Sequence, residues 1–197
     1  MKQRTARIIS YICMPTTFAF ISFIILSNQT SYGRNEFAIA AVAVTFGAII
    51  PFAYLYLLLH RKKVTEIDIP IRQQRTIPYL VSVAIYSFGF VILFILKASL
   101  PVYALMFCYA TNTFVVSLIN VRWKISAHAM GASGPLTVLA MTFGWIAAPA
   151  FLLVPVVSWA RVELRAHTKA QVVAGALLGI ILTAAQLAAF HELVGGI

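Results

Sequence analysis

Residues 160–179 read ARVELRAHTKAQVVAGALLG and place a dense group of charged side chains directly before a long apolar run. The charged or titratable members of this group are Arg161, Glu163, Arg165, His167 and Lys169. A transmembrane helix needs about 20 mainly apolar residues, and the run over residues 171–190 meets that length. The stretch therefore predicts a membrane helix with a polar, chemically equipped site at its beginning.

The whole chain has the composition of a membrane protein. Of its 197 residues, 61% are hydrophobic and 10% are charged, and the mean hydropathy is +0.92. Soluble domains are only about 45–50% apolar. We therefore expect an all-α, polytopic transmembrane helix bundle in which residues 1–197 form a single domain. A chain of this length holds about six or seven spans joined by short loops, which leaves no room for a separate soluble domain.

Five apolar runs are read directly as spans. They cover residues 8–27, 37–59, 79–96, 101–119 and 171–190. No small-residue cleavage site follows the first run, so we expect it to be a retained span and not a secretory signal. The second run contains Pro51, which a membrane helix tolerates with a kink.

The segment over residues 125–164 must turn back on itself. As one helix it would be about 60 Å long, roughly twice the thickness of the hydrocarbon layer. The turn is expected within residues 143–149, where Gly144 and Pro149 interrupt the apolar pattern. With this turn the count reaches seven spans.

The basic residues indicate how the chain lies in the membrane. The formal net charge is +10, from 15 Lys and Arg against five Asp and Glu. Because these residues fall in the connections between apolar runs, membrane orientation and anionic lipid account for them, and we expect no nucleic-acid partner.

With seven spans, the N-terminus and the polar connections 60–78, 120–135 and 160–171 share one face of the membrane. Thirteen basic residues lie on this face, namely Lys2, Arg4, Arg7, Arg61, Lys62, Lys63, Arg72, Arg75, Arg122, Lys124, Arg161, Arg165 and Lys169. Only Arg34 and Lys97 lie on the other. The positive-inside rule makes the motif-bearing face cytoplasmic, in the inner (plasma) membrane of a prokaryote.

Two histidines, His128 and His167, fall in these connections among many basic residues. Their expected neighbours are Arg72, Arg75, Arg122, Lys124, Arg161 and Arg165. Guanidinium groups bind phosphate oxygens through paired hydrogen bonds, so the cluster indicates a phosphoryl ligand. One imidazole can attack phosphorus while the other protonates the leaving oxygen.

The spacing of Arg161 and His167 resembles the third motif of the type 2 phosphatidic acid phosphatase superfamily. That motif is a Ser-Arg pair, five residues, a His, three residues and an Asp, followed by Val and Gly, and Val172, Gly175 and Gly179 follow here in place. Ser126, Ala127 and His128 resemble the family's second motif, Pro-Ser-Gly-His.

The resemblance implies a membrane lipid phosphatase that hydrolyses a phosphate monoester or diphosphate through a phosphohistidine, with no metal or other cofactor. His167 would be the nucleophile and His128 the general acid. Arg161 would hold the phosphoryl oxygens, and Arg75 and Arg72 are weaker carry-overs. Lys124 and Ser126 are further phosphate-binding candidates because they lie in the same polar connections. The expected partners are a lipid phosphate substrate or a bound phospholipid and the membrane itself, with a membrane-complex partner as a further candidate.

The family's first motif, a Lys, six residues and then Arg-Pro, is met only loosely: Arg75 is in place, but Asp68 and Thr76 replace the Lys and the Pro. In the third motif, Ala160 and Gln171 replace the Ser and the Asp. Gln171 can orient His167 by accepting a hydrogen bond, but it supplies no negative charge. Glu163, four residues before His167, is a second candidate partner for the imidazole. These departures leave an alternative function open, that of a catalytically degenerate lipid-binding protein or a subunit of a membrane complex.

Overall fold

The computed structural model describes residues 1–31, 33 and 35–195, and every regular element within them is a helix. The α-helices are α1 Lys2–Ile12, α2 Pro15–Thr30, α3 Glu36–Val44, α4 Ile50–His60, α5 Thr76–Ile95, α6 Leu100–Asn120, α7 Ala127–Phe143, α8 Leu153–Glu163 and α9 Lys169–Gly195. The predicted all-α architecture is confirmed.

Five helical segments are long and apolar enough to cross a membrane, and a bent N-terminal pair brings the number to six. The continuous segments are Glu36–His60, Arg72–Ile95, Leu100–Asn120, Ala127–Glu163 and Lys169–Leu193. Large apolar side chains such as Phe88 and Ile181 are exposed on their outer surfaces, as expected where helices face lipid.

The N-terminal pair consists of α1 and α2, which meet at an angle of 45°. The sequence predicts one continuous span over residues 8–27, whereas the structure has two helices with a bend between them. Pro15 has no N–H to continue the helix of α1, and the residue before it, Met14, is extended with ψ 153°, as proline requires of its predecessor. The basic helix α1 therefore leaves the line of α2 and packs against α8.

Between α3 and α4 the helix widens into a π-helical turn, Thr45–Ile49. This turn directly precedes Pro51, the proline for which the sequence predicted a kink. A π-turn accommodates a residue that cannot donate to the carbonyl four positions earlier, so the segment Glu36–His60 continues across the break.

The longest segment, Ala127–Glu163, reverses direction where the sequence predicted a turn. Gly144 has a positive φ of 67°, and a 3₁₀ helix, Gly144–Leu152, leads into α8. The two ends of the segment meet, because His128 and Arg161 both contact Asp68. Counting the two arms separately, and the bent pair as one, gives seven apolar segments.

Helices α7 and α9 pack closely against each other, and glycines allow the approach. A Cβ at Gly175 would lie 2.4 Å from the carbonyl oxygen of Ser126, and a Cβ at Gly179 would lie 2.2 Å from Oγ of Ser133. The Ser133 hydroxyl donates to the carbonyl of Ala176 across this contact, at 2.9 Å. The packing places the beginning of α7 beside the beginning of α9.

The three polar connections lie together at one end of the bundle. Lys124 donates to the carbonyl of Ala166 at 2.9 Å, and the backbone N–H of Ser126 donates to the carbonyl of Gln171 at 3.2 Å. Lys97 lies in the turn between α5 and α6, at the other end of both helices. Arg34, the second basic residue expected there, lies outside the described residues.

This arrangement predicts the labelling pattern of single cysteines. With Cys13 and Cys108 replaced by serine, cysteines at the exposed positions Lys2, Lys63 and Lys169 should react with a membrane-impermeant maleimide from one side of the membrane. A cysteine at Lys97 should react only from the other side. Labelling of positions 2 and 169 from opposite sides would contradict the arrangement.

Candidate active site

The centre of the site is Asp68, in the connection between α4 and α5. Its Oδ2 accepts a hydrogen bond from Nη1 of Arg161, near the end of α8. Its Oδ1 lies 3.4 Å from Nε2 of His128, in the first turn of α7. The same Arg161 nitrogen donates to the Ser10 hydroxyl of α1. One carboxylate therefore joins three parts of the chain that are far apart in sequence.

Arg75 holds the backbone that carries Asp68. Its Nε donates to the carbonyl of Ile69 at 2.7 Å, and its Nη2 donates to the carbonyl of Asp68 at 3.2 Å. Ile69 has a φ of 41°, a conformation that costs a β-branched residue energy and needs support from its surroundings. The guanidinium of Arg75, only 3% exposed, provides that support and holds the backbone from which the Asp68 side chain projects.

Asp68 is ionised in this environment. Burial alone would raise the pKa of its carboxyl group, but the neighbouring His128, Arg161 and Arg75 outweigh burial and hold the pKa below its ordinary value. A carboxylate so placed compensates the buried charge of Arg161.

His167 lies just before α9 and is oriented by Gln171. The Gln171 Oε1 accepts a hydrogen bond from the backbone N–H of Thr168 at 3.1 Å, and it lies 3.2 Å from Nδ1 of His167. An N–H can only donate, so the atom facing it must be the amide oxygen, and Nδ1 must carry the hydrogen. This leaves Nε2 of His167 with a free lone pair.

The same contacts cap α9. The Thr168 hydroxyl accepts from the N–H of Gln171 at 3.3 Å, which completes a capping box of the Thr-x-x-Gln type. The segment over residues 168–171 thus begins the helix and orients the imidazole with the same side chains. Glu163, the other candidate partner, forms no ion pair within the described part of the chain.

The environment keeps His167 neutral. Burial, followed by the positive charges of Arg75, Arg161 and Lys124, lowers the pKa of His167 to about 3. Lys124 is affected in the same direction, because burial and the charges of Arg75 and Arg161 lower its pKa. A neutral imidazole with a free Nε2 is the nucleophilic form of histidine.

Three buried polar atoms at the centre have no hydrogen-bond partner among the residues that the structure describes: Oδ1 of Asp68, Nε2 of His128 and Nε of Arg161. Buried polar groups are normally satisfied, and groups that are not satisfied are often found at functional sites. The first two face each other at 3.4 Å, and the two nitrogens are the atoms of the three that can donate to a ligand oxygen.

Two cavities meet at this cluster. The apolar cavity, of about 120 Å³, runs between the helices, with Asp68, Arg75, His128 and His167 at its polar end. Its other walls include Pro15, Leu55, Tyr86, Tyr109 and Val116. The basic cavity, of about 500 Å³, is lined by Arg7, Arg75, Lys124, Arg161 and Arg165 together with Glu66 and Asp68. Asp68 and Arg75 line both cavities.

The structure brings together most of the side chains that the sequence selected. His128, His167, Arg161, Arg75 and Lys124 line one or both cavities. Gln171 contacts His167 as expected.

Two candidate phosphate-binding residues lie elsewhere. Arg72 donates to the backbone carbonyls of Asn120 and Val121. It begins the short 3₁₀ helix Arg72–Arg75 before α5, and its side chain lies against the end of α6. The Ser126 hydroxyl accepts from the N–H of Ala129 at 3.3 Å and caps α7. Neither residue lines the two cavities, so both hold the frame of the site.

The sequence reading missed Asp68 and Ser10 as members of the site. The sequence marks Asp68 only as a departure from the first motif. A signal was present, since Asp68 is one of five acids in the chain and lies in a connection rich in arginine. Ser10 carried no such signal, because nothing local marks one serine in an apolar run.

Comparison of the chain with protein-family models, with curated proteins and with solved structures gives no match.

The low pKa of His167 predicts a specific dependence of stability on pH. Below about pH 6.5 an unfolded histidine takes up a proton that folded His167 refuses, so the unfolded state binds more protons and stability falls as the pH falls toward 3. The slope approaches about 1.4 kcal/mol per pH unit. His167→Gln should lose less stability than the wild type between pH 7 and 5, measured by thermal unfolding in detergent.

The matched control is His60→Gln, at the exposed end of α4, which should follow the wild-type pH profile. Parallel profiles for the wild type and His167→Gln would contradict the assigned environment of His167.

Proposed function

We propose that this protein is a membrane lipid phosphatase that hydrolyses a lipid phosphate monoester or diphosphate through a phosphohistidine intermediate. The observation that carries the proposal is the junction of the two cavities. His128 and His167 both lie at the polar end of an apolar cavity, next to a cavity lined by five basic residues. An amphiphile with a phosphate head and an apolar tail matches this division.

The chemistry assigns one role to each histidine. Nε2 of His167 attacks phosphorus, an N–P bond forms, and the bond from phosphorus to the lipid oxygen breaks. His128 gives a proton to the departing oxygen, which leaves as an alcohol or, from a diphosphate, as a lipid monophosphate. A water molecule then cleaves the N–P bond and releases inorganic phosphate, with His128 taking a proton from it. Arg161 and Lys124 stabilise the phosphoryl oxygens.

The site is proposed to face the cytoplasm. The three polar connections share one end of the bundle with α1, and that end carries the excess of Lys and Arg. Short basic loops are retained on the cytoplasmic side in the inner membranes of prokaryotes.

The proposal predicts that the purified protein releases phosphate from a lipid phosphate in detergent, and that release continues after chelation of divalent metals. His167→Ala should abolish release because no N–P bond can form, and His128→Ala should reduce it at least about 100-fold because general acid catalysis is lost. His60→Ala should retain wild-type release. Undiminished release by both site variants would exclude this mechanism.

A second function is supported by a specific pair of observations. Asp68 engages Arg161, the arginine that would hold the phosphoryl group, and Gln171 gives His167 no negative charge. A protein that binds a phospholipid without turnover, alone or as a subunit of a membrane complex, fits these features.

Gln171→Glu separates the two functions. Glutamate has nearly the shape of glutamine, so its carboxylate can accept from Thr168 and His167 in the same positions while adding a charge that stabilises the imidazolium as the N–P bond forms. An attenuated enzyme should gain about tenfold or more in turnover, since an adjacent carboxylate shifts a histidine equilibrium by one or more pKa units. The measurement is the rate of phosphate release.

Gln73→Glu is the control, because it adds the same charge at an exposed position in the connection between α4 and α5, at the same end of the bundle as the site. No release by the wild type or by Gln171→Glu, with several lipid phosphates, would favour the binding function.

A further inference from the structure

The Asp68 carboxylate has the contacts that a bound phosphate would have. It accepts a hydrogen bond from Arg161 and faces Nε2 of His128. In the proposed mechanism, Arg161 binds a phosphoryl oxygen and His128 protonates the leaving oxygen. A carboxylate and a phosphate compete for the same donors, since both bind guanidinium through anionic oxygens.

Asp68 also has the position in the fold that a bound phosphate would take. Asp68 lies where the basic and the apolar cavities meet and lines both of them. A phosphate with its tail in the apolar cavity must reach Arg161 at this point. It must therefore displace the Asp68 carboxylate from Arg161.

The surroundings of Asp68 allow such a displacement. Its side chain retains 18% exposure, whereas that of Arg161 retains 2%. Arg75 holds the backbone of this connection through the carbonyls of Asp68 and Ile69, so the carboxylate can turn into the basic cavity while its backbone stays in place. Arg75 and Lys124 line that cavity and can receive the charge.

We propose that Asp68 is an internal anion that occupies the phosphate position and lowers the affinity of every phosphate, so that only phosphates with the added binding energy of an apolar tail occupy the site. This inference rests on the proposed function, because it assigns the same site to a phosphoryl group. Displacing Asp68 costs the same for every phosphate ligand. Only a lipid recovers that cost, by burying its tail in the apolar cavity. Free phosphate and soluble phosphate esters then bind too weakly to occupy the site.

The test is the binding of inorganic phosphate to the full-length protein in detergent, followed as the rise in melting temperature with phosphate concentration at constant ionic strength. Asp68→Asn keeps the shape of the side chain and removes the competing charge. It should bind inorganic phosphate at least about tenfold more tightly than the wild type, as expected when one charge is removed beside an ionic site.

Glu163→Gln is the matched control. It removes one negative charge from the same end of the bundle at a residue that lines neither cavity, so its affinity for phosphate should equal that of the wild type. An equal gain in both variants would reduce the effect to net charge and overturn the inference. If Asp68→Asn cannot be purified in a folded state, Asp68→Ser removes the same charge and should show the same gain.

Unchanged or weaker phosphate binding by the Asp68 variants would also overturn the inference, and weaker binding would make Asp68 a residue that positions Arg161 and His128 for the ligand.

This experiment tests the internal anion independently of the proposed hydrolysis. Phosphate binding does not need the nucleophile, so a gain in Asp68→Asn together with absent hydrolysis would reject the enzyme and retain the internal anion. Hydrolysis of lipid phosphates by the wild type, without tighter phosphate binding by Asp68→Asn, would retain the enzyme and reject the internal anion.

Discussion

The buried contact between Arg161 and Asp68 is the interaction on which the arrangement of this bundle depends. A guanidinium at 2% exposure, at the end of a helix in an apolar bundle, is stable only with an anionic partner, and removing one member of a buried pair costs about 3–5 kcal/mol. The contact brings α8 back to the level of the first turn of α7 through His128. It also ties α1 to the bundle through Ser10. One charge pair therefore links the hairpin of α7 and α8, the position of α1 and the geometry of the site.

Gln171 shows how orientation and charge can be separated at a buried histidine. Replacing the orienting carboxylate of a serine hydrolase by an amide costs about 10⁴ in rate, largely because the amide selects the wrong tautomer. Here the N–H of Thr168 fixes the amide oxygen toward Nδ1 of His167, so the imidazole has the tautomer that leaves Nε2 free. The amide thus supplies orientation without charge, and the expected loss relative to a carboxylate is only the electrostatic part of that penalty.

The sequence was sufficient where the physical signal is local. Hydropathy placed the spans, and the need for a 40-residue segment to fit a bilayer placed the reversal that Gly144 makes. The spacing of Arg161 and His167 identified two side chains that line adjoining cavities. The remaining features depend on pairings across the fold. Asp68 and Arg161 are 93 positions apart, and no local pattern reveals their contact. Likewise Arg72 and Arg75, three residues apart, look equivalent in sequence, yet Arg72 binds carbonyls at the end of α6 while Arg75 holds the connection that carries Asp68.

The division of the site into two cavities has a consequence for how binding energy would be used. On the proposed function, the tail of the substrate lies away from the reacting phosphorus, in a cavity lined by Tyr86 and Tyr109. If its burial served only to hold the substrate, it would lower KM and leave kcat unchanged. Because the phosphate gains Arg161 only as Asp68 leaves it, part of the tail's binding energy offsets the displacement of Asp68 as the substrate binds. Shortening the tail then raises KM and lowers kcat/KM, and it lowers kcat as well only where the shortened substrate binds with Asp68 still on Arg161.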